Sequence, residues 1–244
     1  MKINFQYKNK TGYIELKNMT ETSADLVVYG EIASEKLYGD DVTPAGVKEL
    51  LDSAEGKDLK IYINSPGGSA FAGVAIYNML LRHSGKKEVF IDGLAASAAS
   101  IIAMAGDVIN IPKNAYLMIH RAWTFACGNK NEMQKTIELL ERLDNSIADT
   151  YVSKSVNGTT AEKFLELMDK DTWLNGNEAK QYFDVNVIED QGVAACISLS
   201  DYERYKNIPE NLKNSIEERE NKKQQAKNKE LELEKAKLEL LTKI

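Results

Sequence analysis

Leu59-Lys60-Ile61-Tyr62-Ile63-Asn64-Ser65-Pro66-Gly67-Gly68 reads as a short strand ending in a glycine-rich turn, and a largely apolar helix, Ala70 to Leu81, follows. Leu59, Ile61 and Ile63 alternate with Lys60 and Tyr62, which is the period of a strand. The helix carries apolar residues on every side, which predicts burial all round. A strand feeding a helix across a tight turn is the repeating unit of a layered α/β fold, and the pattern recurs on both sides. Upstream, Leu26 to Tyr29 is an apolar strand closed by Gly30. Thr43-Pro44 then opens a helix as N-cap and first residue, with Val47, Leu50 and Leu51 on its buried face. Ile3, Phe5 and Tyr7 alternate with polar residues, Lys8 to Gly12 supplies a turn, and Tyr13 to Leu16 returns, so residues 1–24 predict an N-terminal hairpin.

Downstream, Glu88 to Asp92 is a strand that Gly93 breaks ahead of a helix of small residues, Ala95 to Ala105. Val108 to Ile111 and Ala115 to Ile119 are short strands. Met133, Ile137, Leu140, Ile147 and Tyr151 lie at helical spacing on one long amphipathic helix. Asn157-Gly158 turns the chain, and Thr159 with Glu162 forms a capping-box pattern ahead of Phe164, Leu165 and Met168. A mostly parallel sheet in α/β layers is expected over residues 25–199.

The 244 residues are 43% hydrophobic and 28% charged, enough for a sizeable core and too apolar for wholesale disorder. The longest apolar run, Leu94 to Gly106, falls short of the ~20 residues of a bilayer span. The start, Met1-Lys2-Ile3-Asn4-Phe5-Gln6, has no apolar run of a secretory signal, so a cytoplasmic location and no membrane partner are expected. Two cysteines, Cys127 and Cys196, read as thiols rather than a disulfide framework. The net charge of -6 argues against nucleic acid as the main partner. All 15 glycines lie at or before Gly192, and residues 201–244 hold 10 acidic and 11 basic side chains. The composition thus breaks near residue 200, and residues 200–244 predict a charged, solvated helical tail.

Only two histidines are present. His83, at a helix end before Ser84-Gly85, is explained by the helix dipole. His120 ends the strand Tyr116-Leu117-Met118-Ile119, where α/β folds place functional side chains, and a hydrogen-bonded core histidine explains that position equally well. Ser97 sits where a strand turns sharply into a helix, an arrangement that exposes its hydroxyl and points the next backbone N–H at a developing oxyanion. From this segment by itself, small-residue helix packing is the better account of Ser97 and Ser100. Asn64-Ser65-Pro66-Gly67-Gly68 could present backbone N–H groups to an anion or simply make a tight turn. No Lys-Ser or Lys-Thr pair follows it, so it is not a P-loop. Two separated histidines and two lone cysteines make no zinc set, and no cofactor is expected.

In combination, strand–Asn64-Ser65-Pro66-Gly67-Gly68–helix, Gly93-Leu94-Ala95-Ala96-Ser97–helix and Met118-Ile119-His120 resemble the Clp protease proteolytic subunit family (ClpP) over about residues 25–190. The fold this implies is the ClpP/crotonase-like one, with a protruding long helix. The segment Gly93 to Asp107 is similar to the phage and prophage branch, whose members are linked to head maturation, the proteolysis of capsid or scaffold proteins. The resemblance implies Ser97 as nucleophile, His120 as general base and Asp171 as the acid that orients it, with Asp171-Thr172-Trp173-Leu174 and Glu178-Ala179 carrying the match. Asp169 is the competing acid but misses the spacing to Trp173. It further implies an oxyanion hole from the N–H groups of Gly68 and Ala98. An extended peptide would lie along Gly67, Ser69, Phe71, Ala122, Trp123 and Thr124.

By the same resemblance the partners are a protein or peptide substrate and further copies of the chain, in seven-membered rings that the long helix stacks face to face. A phage-encoded member would work in the bacterial host cytoplasm. Tyr182-Phe183-Asp184-Val185-Asn186 departs from the family's usual sequence there, and residues 1–24 do not resemble the loops that dock a Clp ATPase. The competing readings are a bacterial Clp subunit serving an AAA+ unfoldase and a crotonase-like enzyme, which needs no Ser-His-Asp set. A scaffold with a vestigial site is the last.

Overall fold

The structure is a computed structural model and describes residues 13–36, 41–190 and 204–241. The chain divides into two compact units, Met1–Cys196 and Ile197–Ile244.

The first unit is built on an eight-stranded sheet. Strand β1 (Tyr13–Lys17) pairs antiparallel with β2 (Ser23–Ile32), Tyr13 lying opposite Tyr29 and Leu16 opposite Leu26. The predicted strand Ile3 to Tyr7 lies outside the described residues; among the described strands, β1 stands first in the sheet order and pairs with β2. From β2 the pairing is parallel to β3 (Asp58–Gly68), β4 (Lys87–Ala96), β5 (Val108–Pro112) and β8 (Asn186–Ile188), in the order β1-β2-β3-β4-β5-β8. The second half of β4 leaves β5 and pairs with β6 (Tyr116–Ile119), which runs antiparallel to β7 (Thr172–Asn175).

Two segments, one expected as a turn and the other as a glycine break running into a helix from Ala95, are strand. Asn64-Ser65-Pro66-Gly67-Gly68 continues β3, because Ser65 pairs with Ala95 on one side while Gly67 and Gly68 pair with Glu31 and Ile32 on the other. The Ser65 hydroxyl donates to the Gly30 carbonyl at 2.6 Å and accepts the Gly67 N–H at 3.0 Å, holding the irregular stretch in the sheet. Likewise β4 runs through Gly93 to Ala96, since Leu94, Ala95 and Ala96 find partners in Tyr116, Leu117 and Met118. The helix that follows, α3, is therefore short, Ala98–Ala103.

Helix α1 (Pro44–Ser53) is capped by Thr43, and α2 (Ala70–Arg82) by Ser69. Helix α2 differs from expectation: it buries Ala72, Gly73, Ile76 and Leu80, but Phe71 and Leu81 are exposed, so one apolar face looks outward. The long helix α4 (Lys130–Val152) starts with a capping box of Asn129 and Glu132. Its buried stripe begins only at Asp144 and continues through Ile147, Ala148 and Tyr151; Ile137 and Leu139 are exposed. Helix α5 (Ala161–Met168) is capped by Thr160 rather than Thr159, and α6 (Gly176–Ala179) follows β7. Sequence reading missed β7, α6 and β8, each three or four residues long and too short to show a period.

The core packs Leu26, Val28, Ile61, Ile63, Val89 and Ile91 of the sheet with Val47, Ile76, Leu80 and Ile101 of α1 to α3. A buried ring cluster of Tyr151, Phe164 and Phe183, with centroids 5.0 to 5.8 Å apart, joins α4, α5 and the turn after α6. In the second unit, α7 (Glu210–Leu241) is a helix with a mostly polar, charged sequence. No helix among the described residues is long and apolar enough to cross a membrane.

Candidate active site

The site begins at the joint between β4 and α3. Ser97 holds φ 53° and ψ −123°, a backbone conformation that is strained for any residue with a Cβ. Hydrogen bonds hold it on both sides. Its N–H donates to the Met118 carbonyl at 2.9 Å, and its carbonyl accepts the Ser100 N–H at 2.9 Å and the Ser100 hydroxyl at 2.6 Å. Ser100 in turn is 2.8 Å from the hydroxyl of Tyr151, whose complete burial raises its pKa. Ser100 is thus more than packing: it links the strained residue to α4. Ala95, Ala96, Ala98 and Ala99 are buried around this joint, where larger side chains would collide.

Gly67 lies directly against the joint. At its φ of 90°, a Cβ would stand 2.4 Å from the Ala96 carbonyl oxygen, 2.7 Å from the Ser97 Cβ and 3.0 Å from the Ala98 nitrogen. Only glycine leaves that space open in front of the Ala98 N–H, which as the first residue of α3 has no intrahelical acceptor. Gly68 has φ 142°, and a Cβ there would meet the Ile32 carbonyl at 2.1 Å.

His120 follows the last residue of β6, and its Nε2 lies 2.7 Å from the Ser97 Oγ. For Nε2 to accept the serine proton, the neutral ring carries its own proton on Nδ1. Burial lowers the His120 pKa below the ordinary value, and the Asp171 carboxylate opposes that shift. The ring is therefore neutral near pH 7 and able to accept a proton.

Asp171 reaches this position through strand register. Ile119 pairs with Thr172 and Met118 with Trp173, so continuing the antiparallel ladder by one residue sets Asp171 opposite His120. Its backbone is left-handed, φ 46°, with its N–H on the Met168 carbonyl at 3.2 Å, and aspartate tolerates this conformation better than most residues. The competing Asp169 is engaged elsewhere: both its oxygens accept from Arg121, at 2.8 and 3.1 Å.

The six residues expected along a bound peptide lie at the ends of β3 and β6 and just beyond. The Ser69 N–H is bonded to Ile32, and its hydroxyl caps α2. The Ala122 N–H donates to Asp144 at 2.8 Å. Phe71, Trp123 and Thr124 are exposed, Trp123 packing edge-on to Phe125 at 5.4 Å. Sequence reasoning missed Arg121, Asp144 and Tyr151. Asp144 carried a readable signal, a carboxylate placed on the buried stripe of an amphipathic helix.

Fold and site together define a mixed α/β protein of the ClpP-like type, with a serine and a histidine in contact at the ends of neighbouring strands. Residues 21–191 match the family model described as Clp protease, and the chain belongs to that family. It is similar to a protein named ATP-dependent Clp protease proteolytic subunit from Bacteroides fragilis, 34% identical over 135 residues, covering 54% of this chain and 64% of that one. A protein of the same name from Deinococcus radiodurans is 30% identical over 146 residues, covering 58% and 70%. A solved structure of a ClpP1 mutant from Listeria monocytogenes is similar, with a TM-score of 0.54 and 29% identity, covering 68% of this chain and 92% of that one. The chain spans 60 to 64% of the length of the Bacteroides relatives it matches.

Proposed function

We propose that this protein is a serine endopeptidase, and the 2.7 Å contact between His120 Nε2 and Ser97 Oγ carries the reading. A serine hydroxyl is a poor nucleophile until a base removes its proton. His120 takes that proton as Ser97 Oγ attacks the peptide carbonyl, then returns it to the leaving amine. Asp171 orients the ring and stabilises the imidazolium. The N–H groups of Gly68 and Ala98 receive the oxyanion, in the space that glycine at 67 keeps open. The peptide lies extended between residues 67–71 and 122–124, where backbone pairing gives affinity with little side-chain selectivity. No cofactor enters this chemistry.

The outward apolar faces of α2 and of the first half of α4 support assembly with further copies, in stacked rings that enclose the serines. The similarity of Gly93 to Asp107 to the phage branch supports a role in processing capsid or scaffold proteins in a bacterial cytoplasm. The charged α7 helix would recruit those proteins; deletion of residues 205–244 without effect on such binding would count against this part. The names of the relatives favour a second reading, a subunit working with an ATPase that unfolds its substrates.

A fluorophosphonate probe tests the chemistry. Labelling should map to Ser97 and vanish in Ser97→Ala and His120→Ala; labelling elsewhere, or in the Ser97→Ala variant, overturns the reading. Processing of capsid precursors without ATP, against degradation of folded proteins only with a Clp ATPase and ATP, separates the two roles.

A further inference from the structure

Arg121, immediately after the histidine, makes one of the most extensive polar contact sets in the first unit. Its Nε and Nη2 form a two-pronged hydrogen bond with both oxygens of Asp169, and its Nη1 lies 3.4 Å from Asp144 Oδ2. The other oxygen of Asp144 accepts the Ala122 N–H. Asp144 is buried, so its charge needs these partners. Arg121 therefore joins three segments: its own strand end, which carries His120, and through the guanidinium the helix α4 and the turn after α5 that carries Asp171. That turn is itself unusual, since Asp171 holds a left-handed backbone two residues after Asp169.

We propose that Arg121 is a positioning residue: it ties the turn carrying Asp171 to the strand end carrying His120, with Asp144 of α4 as its buried anchor. This rests on the Ser97–His120–Asp171 reading above. The register of β6 and β7 ends at Ile119 and Thr172, one residue short of His120 and Asp171. Arg121 closes the ladder one step further on, and the planar fork, unlike a point charge, sets both distance and angle. Tyr151, seven residues beyond Asp144 on α4, steadies Ser97 through Ser100. The long helix thus supports both halves of the site.

The test uses the full chain and an unstructured peptidyl ester, with kcat and KM measured separately. Arg121→Gln should lower kcat between tenfold and about a hundredfold, as small misplacements of reacting groups do, with KM within twofold. Arg121→Lys should recover only part of the loss. Asp169→Asn should lower kcat similarly, and the double variant Arg121→Gln/Asp169→Asn should be no worse than Arg121→Gln alone. Lys48→Ala, which removes a surface ion pair with Asp52 remote from these residues, controls for general stability. A folded Arg121→Gln protein with kcat within twofold of the parent overturns the inference, as does a loss confined to KM or losses that multiply in the double variant. Should Arg121→Gln fail to fold, Asp169→Asn, at a more exposed carboxylate, decides in the same way. A Ser97→Ala protein as active as the parent overturns the triad and this inference together, whereas an indifferent Arg121→Gln in a Ser97-dependent enzyme overturns the inference alone.

Discussion

Replacing Gly67 by alanine adds one methyl group where the structure has no room for it. The Cβ would press on the Ala96 carbonyl oxygen, the Ser97 Cβ and the Ala98 nitrogen at 2.4, 2.7 and 3.0 Å, and every one of these atoms belongs to the joint that carries the serine. Two costs arise. A residue with a Cβ at positive φ costs about 1–2 kcal/mol relative to glycine, and overpacking a rigid site typically costs about 1–3 kcal/mol more. Gly158 separates them, because it also has positive φ, 69°, yet a Cβ there meets nothing within 4 Å. Gly158→Ala should carry only the conformational cost. For a chain of this size each kcal/mol lowers the melting temperature by about 2–4 °C. Gly67→Ala should therefore melt roughly 2–12 °C below Gly158→Ala. Any relief of the collision moves Ser97 or blocks the Ala98 N–H, so fluorophosphonate labelling of Ser97 should slow at least about tenfold in Gly67→Ala alone. The reasoning fails if the two variants melt together and Gly67→Ala labels at the rate of the parent.

Other perturbations address the remaining supports of the site. Ser100→Ala removes both links between the Ser97 carbonyl and α4 and strands the buried Tyr151 hydroxyl, so it should cost about 1–3 kcal/mol in thermal unfolding and slow labelling. Tyr151→Phe leaves the Ser100 bond to Ser97 in place and should cost less on both measures. The proposed chemistry needs His120 neutral, and burial lowers its pKa, so the acid limb of kcat/KM against pH should fall below the ordinary value of about 6.5. Asp171 raises the His120 pKa, so Asp171→Asn should shift that limb to still lower pH while lowering kcat by roughly 10³–10⁴-fold. An acid limb above the ordinary value, or one that moves upward in Asp171→Asn, contradicts the assigned environment.

The legible parts of this protein were those encoded within a turn or two of chain. Thr43-Pro44 marks the start of α1, alternation at Leu59, Ile61 and Ile63 marks β3, and the long amphipathic period marks α4. Ser97, His120 and Asp171 could be named because their local patterns resemble a known family; their residue types alone left packing explanations open. The contact between Ser97 and His120, 23 positions apart, became visible only with the fold.

Composition and pattern by themselves determined that the chain forms α/β layers with a separate charged helix, since hydrophobic period and glycine placement act locally. Tertiary structure alone decided that residues 64–68 and 93–96 extend their strands, because the partners that satisfy those backbones come from distant segments. It also decided that Asp171 faces His120 while Asp169 is bound by Arg121. Two carboxylates two residues apart carry nearly the same local signal, and the register of β6 against β7, with the guanidinium just beyond it, separates them.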